Sequence, residues 1–132
     1  MSKSNLLENE LLDHVLGNSS YSPPATVYVA LFTTSPSDSS GGVEVSGGGY
    51  ARVAVTNNLT NWPAAVSGSK SNGTVISFPT ATAAWGTIVA FALMTAPTGG
   101  DILYWGAVNP NVSVPSGADA SFAVGALVIT ED

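Results

Sequence analysis

Cysteine is absent from the 132-residue chain and histidine occurs once, as His14. Without thiols there is no disulfide framework, no thiolate nucleophile and no zinc–cysteine or iron–sulfur site, and a single imidazole cannot build a histidine metal cluster. Charge is scarce too. Asp, Glu, Lys and Arg make up 9% of the residues, against about 25% in an ordinary soluble domain. Three cations, Lys3, Arg52 and Lys70, face nine acids, for a net charge of −6. That balance cannot release counterions from a phosphate backbone, so nucleic acid is not an expected partner. No run of eighteen apolar residues occurs, which leaves no transmembrane helix and no expected membrane partner. The opening MSKSNLLENELLDHV lacks the basic and uninterrupted apolar regions of a secretory signal, pointing to a protein made in a cytoplasm. The Asn-X-Ser/Thr sequons at Asn18, Asn58, Asn72 and Asn111 are then compositional accidents.

What is present suffices for one domain. A chain of 13.3 kDa can bury about two-thirds of its unfolded surface, enough for a core without staples. The acids cluster at the ends: Glu8, Glu10 and Asp13 near the start, Glu131 and Asp132 at the close. The body between is nearly neutral, and the mean hydropathy is +0.29. Such a surface is poorly protected against association and suits a protein covered by copies of itself or by a partner.

Residues 5–16 read as a helix. Asn5 is placed to cap it, Glu8 to complete a capping box, and Gly17-Asn18 to stop it. Leu7, Leu11, Leu12, Val15 and Leu16 recur at helical spacing opposite the acids, giving an apolar face that must pack on its own domain or on a neighbouring subunit. Residues 18–25, with Tyr21 and Pro23-Pro24, form a connector. From Thr26 the period changes to two. Strands are expected over residues 26–33, 50–57, 73–78, 87–95, 101–108, 111–114 and 120–130, separated by Gly, Pro, Asn and Ser clusters. The chain therefore divides into an arm, 1–25, and an all-β sandwich or jelly-roll-like domain, 26–132. Its expected core is Val27, Val29, Leu31, Val53, Val55, Ile76, Phe78, Phe91, Leu93, Phe122, Val124 and Leu127.

Catalytic chemistry finds no footing. His14 lies on the terminal helix with no nucleophile-elbow sequence to serve. Asp38, Glu44, Asp101 and Asp119 sit in Gly- or Ser-rich turns, where such residues commonly serve the turn itself. No repeated acidic spacing suggests calcium, and Gly47-Gly48-Gly49 is followed by Tyr50 and not by the Lys-Ser/Thr of a phosphate loop. No catalytic, cofactor or metal residue is expected. Trp62, Trp85 and Trp105 are either core or a sugar-stacking platform.

The segments YVALFTTSP (28–36), EVSGGGYARVAV (44–55), ISFPTATAAWGTIVAFALM (76–94), GGDILYWGAV (99–108) and SFAVGALVIT (121–130) resemble a family of small virion proteins of tailed bacteriophages, whose members carry either tail-fibre or capsid-decoration labels. The resemblance implies a structural protein of the virion, assembled in the bacterial cytoplasm. The reading favoured at this point is a decoration protein that binds and stabilises the lattice of the major capsid protein, through multivalent linkage and as a homo-oligomer, a trimer or a dimer. The alternative is a tail-fibre or tail-tip component facing the host surface. Interface residues are expected on the helix (Leu7, Leu11, Leu12, Val15, Leu16), at Tyr21, and around the glycine loop (Gly47, Gly48, Gly49, Tyr50, Arg52), with Arg52 as the anchor.

Overall fold

Two nine-residue stretches dominated by β-branched, aromatic and alanine residues form the centre of the protein, whose computed structural model describes residues 2–131. These strands, β2 (Thr26–Thr34) and β7 (Gly86–Met94), pair antiparallel, with Tyr28 opposite Met94 and Phe32 opposite Ala90. The long strand β8 (Ile102–Val114) lies on the other side of β7. Its outer edge takes β1 (Ser2–Lys3), where Ser2 faces Trp105 and Lys3 faces Tyr104. The free side of β2 is shared by β4 (Val53–Thr56) along its first half and β3 (Val43–Glu44) along its second. The result is a six-stranded sheet. Two ribbons complete the β-structure: β5 (Ser69–Ser71) with β10 (Val128–Thr130), and β6 (Ile76–Ser77) with β9 (Ser121–Phe122).

Both faces of the sheet centre are buried, so β2 and β7 read as nearly continuous apolar runs. One face sends Val27, Val29, Leu31, Phe91, Leu93 and Leu103 into the main core, against Ile76, Phe78, Leu127 and Ile129 from the ribbon side. Tyr50, Phe78 and Trp85 meet there with centroids 5.4–6.5 Å apart, and Phe122 extends the aromatic group to Phe91. The other face carries Ala30, Ala90 and Ala92, flanked by Phe32 and Met94. The loop after β2 is fixed at the β1–β8 edge: Asp38 accepts from Trp105 Nε1 at 2.8 Å and from the Ser2 hydroxyl at 2.5 Å.

The all-β class with one short helix is what the periodicity predicted, but its layers are unequal, one broad sheet over two short ribbons. Strands expected at 101–108 and 111–114 are one strand, with Val108 to Asn111 bulging opposite Val89. The stretch 120–130 is broken instead of continuous. Gly125, at φ +79°, turns the chain between β9 and β10, which puts Val124 at 60% exposure and outside the core. Val53 and Phe122 are partly buried, and the other nine expected core residues are buried.

Helix α1 (Asn5–Leu16) has the expected span, capped one residue earlier than the sequence suggests: the Ser4 side chain, not that of Asn5, accepts the Leu7 amide at 3.2 Å. Asn5 instead donates its backbone amide to the Asp38 carbonyl, and with Ser4 as the cap the third helical residue is Leu7, which leaves Glu8 one place beyond the capping box. Asn18, at φ +52°, provides the left-handed residue beyond the helix end.

Candidate functional site

The eleven residues expected at an interface fall into three places. Leu7, 3% exposed, and Leu11 turn inward, and with Tyr21 they line a cavity of about 200 Å³ between the helix and the body. Its opposite wall is made by Leu93, Leu103 and Tyr104 of the sheet, with Trp62, Lys70 and Ile129 from the ribbon side. Leu7 is therefore core rather than docking surface. The remaining turn of the expected face points outward: Leu12, Val15 and Leu16 are 57%, 73% and 82% exposed. Only Leu7 and Leu11 of the stripe are covered by the body. Leu7→Ala should cost about 2–3 kcal/mol, while Leu16→Gln should stay within about 0.5 kcal/mol of the parent; urea unfolding midpoints of the two variants check the contrast.

The third place is the loop from Glu44 to Arg52. Arg52 is the hub, its side chain 7% exposed. Its guanidinium grips Glu44 with Nε to Oε2 and Nη2 to Oε1, both at 2.8 Å, while Nη1 donates to the carbonyls of Ala96 and Gly99 at 2.7 and 2.8 Å. The Tyr50 hydroxyl donates to Glu44 at 2.6 Å and accepts the Leu31 amide at 3.0 Å. Burial, with the Glu44 carboxylate beside it, pushes the Tyr50 phenol well above its ordinary range and keeps it a donor. The expected anchor is thus spent within the chain: its donors tie the Glu44 strand to the loop of Ala96 and Gly99. A planar fork with fixed donors suits that task better than a lysine would.

Gly47, Gly48 and Gly49 all have positive φ. Gly48 matters most: its carbonyl accepts both the Trp85 Nε1 proton at 2.8 Å and the Thr82 amide at 2.9 Å. A Cβ there would meet the Ala83 carbonyl oxygen at 2.9 Å and the Trp85 ring at 3.0 Å, whereas one on Gly47 meets nothing within 4 Å. Gly48→Ala should therefore destabilise by about 2–3 kcal/mol and Gly47→Ala by about 1 kcal/mol, the left-handed backbone being common to both. Chemical denaturation measures the gap.

Three of the four carboxylates considered for catalysis are engaged within the chain. Glu44 is clamped by Arg52, Asp38 binds Ser2 and Trp105, and Asp119 accepts the Thr80 hydroxyl. His14 accepts the Tyr21 amide at 3.2 Å, joining connector to helix. Trp62 and Trp85 are buried and Trp105 is tied to Asp38, so the three do not form an exposed stacking platform. Sequence reasoning missed Asn72, 2% exposed, which holds the segment after β9 through side-chain bonds to Ala123 and Leu127 and bonds Thr74 with a third. It also missed the lash between Lys3, Glu131 and Tyr104 that fixes the arm across the chain ends. In the sequence the first reads as a turn and the second as two charged termini.

No curated protein matches this sequence. The sequence family described as "Podophage GP4 fiber I protein gp80" matches residues 2–130, so arm and β-domain alike fall within it. By that match over nearly its whole length, the chain belongs to the podophage GP4 fiber I protein gp80 family, and it is a structural virion protein of the tailed-phage kind.

Proposed function

We propose that the protein is a non-catalytic subunit of a phage tail fibre, not a decoration of the capsid shell. The observation that carries this reading is the fibre-family match across residues 2–130. The organisation of the chain supports it. The charge-poor body is cross-tied by the Arg52 clamp and the arm lash, as a load-bearing subunit of an appendage requires. The exposed end of α1, Leu12, Val15 and Leu16, offers an apolar contact to another virion protein or to a further copy of the chain.

Copy number separates tail from shell. Quantitative mass spectrometry of purified virions should give this protein at a ratio to the major capsid subunit tens-fold below one. Immunogold labelling should decorate the tail vertex. A ratio near one copy per capsid subunit, with label over the whole shell, would overturn the tail assignment.

A further inference from the structure

We infer that the cavity beneath α1 is a binding site for a small organic carboxylate with an apolar body. This cavity is a half-open cleft of about 200 Å³, and most of its lining is apolar. An engineered apolar cavity of about 150 Å³ takes a benzene ring, so this one has room for a body of about six to eight carbon atoms.

One polar feature narrows the chemistry. Of the three cations, Lys3 pairs with Glu131 and Arg52 with Glu44, whereas Lys70 has no carboxylate partner among the described residues. Lys70 is half-buried and lines the cavity, its ammonium donating to the Trp62 carbonyl at 3.2 Å. That leaves further N–H donors on the ammonium beside an apolar wall. An anion supplies the counter-charge that Lys70 lacks. Leu7, Leu11 and Tyr21 form the helix-side wall and set the size of the apolar body.

The site is independent of the fibre reading, and its test needs only the purified chain. Phenylacetate and its neutral isostere phenylacetamide are titrated by NMR, following the Trp62 indole N–H and the amides of Leu7 and Leu11. Phenylacetate should shift these signals saturably and bind about tenfold more tightly than phenylacetamide, as one charge-assisted hydrogen bond allows. Lys70→Met should erase that preference and Lys70→Arg should restore it. Leu11→Trp, which fills the cavity from the helix side, should abolish binding of both compounds while the fold stays intact by circular dichroism. Equal affinities for the two compounds, an undiminished preference in Lys70→Met, or shifts centred elsewhere would each overturn the proposal, as would the absence of saturable binding to the parent protein.

Discussion

Asn72→Ala should lower the thermal unfolding midpoint by about 10–20 °C, the larger of the two main effects expected from single substitutions. The Asn72 amide nitrogen donates to the carbonyls of Thr74 at 2.8 Å and Ala123 at 2.9 Å, while its oxygen accepts the Leu127 amide at 3.0 Å. Truncation leaves these backbone groups without partners in a part-buried or buried setting, and each orphaned group costs about 1–3 kcal/mol. A total of about 3–5 kcal/mol follows, and in a domain of this size 1 kcal/mol corresponds to about 3–5 °C. The same residue's backbone also binds the segment: Asn72 donates its amide to Leu127, and the Gly125 amide donates to the Asn72 carbonyl. Its loss therefore frees the whole turn that seats Leu127, which is 1% exposed, in the core. Asn111→Ala is the control. Asn111 stands in the same sequon pattern but is exposed in the β8 bulge, so its replacement should stay within about 0.5 kcal/mol. Calorimetry on the two variants tests the account, and a pair of similar midpoints would refute it.

Asn72 also shows where the sequence stops being readable. The span of α1 and the positions of β2 and β7 follow from local pattern alone, because periods of 3.6 and two residues are written in consecutive side chains. The ribbon layer is not written that way. Strands of two or three residues such as Ser69–Ser71 and Ile76–Ser77 are too short to show a period. Their places are fixed instead by partners far along the chain, as Asn72 is by Ala123 and Leu127, 51 and 55 residues away. The continuous apolar run 120–130 predicted one strand because nothing in it but Gly125 marks the turn, and a glycine inside a strand pattern is also compatible with a bulge. At the candidate site, the helix face was legible as a stripe, but its division into covered and uncovered residues is set by the body it packs on. Arg52 stood out in the sequence as a rare cation in an acidic chain. That its partner is Glu44, eight residues earlier, depends on the positive-φ glycines that fold the loop back.

The clamp at Arg52 should make the protein acid-sensitive in a way that one variant removes. Burial alone would raise the Glu44 carboxyl, but the hydrogen bonds from Arg52 and Tyr50 and the guanidinium charge more than reverse this and hold it below its ordinary value. A carboxyl depressed in the folded state keeps its proton off more readily there than in the unfolded chain. Its contribution is therefore fully present above the unfolded value of about 4.3 and disappears as pH falls through that value towards the depressed one. Arg52→Met should cost about 2–4 kcal/mol at pH 7, since it leaves a partly buried carboxylate and the carbonyls of Ala96 and Gly99 without their donor. In that variant only the Tyr50 hydroxyl still opposes the effect of burial on Glu44, so protonation there relieves more than it breaks. The difference in unfolding midpoint between parent and Arg52→Met should then be widest near pH 7 and shrink on acidification to pH 4. Asp38, whose carboxyl is also held low by hydrogen bonds from Ser2 and Trp105, titrates in both proteins and cancels from the difference. Glu44→Gln keeps an acceptor for Arg52 without the charge, so its own difference from the parent should follow the same course with a smaller amplitude. A parent–variant gap that stays constant from pH 7 to pH 4 would mean that the clamp acts through packing of the Arg52 stem and not through the ion pair.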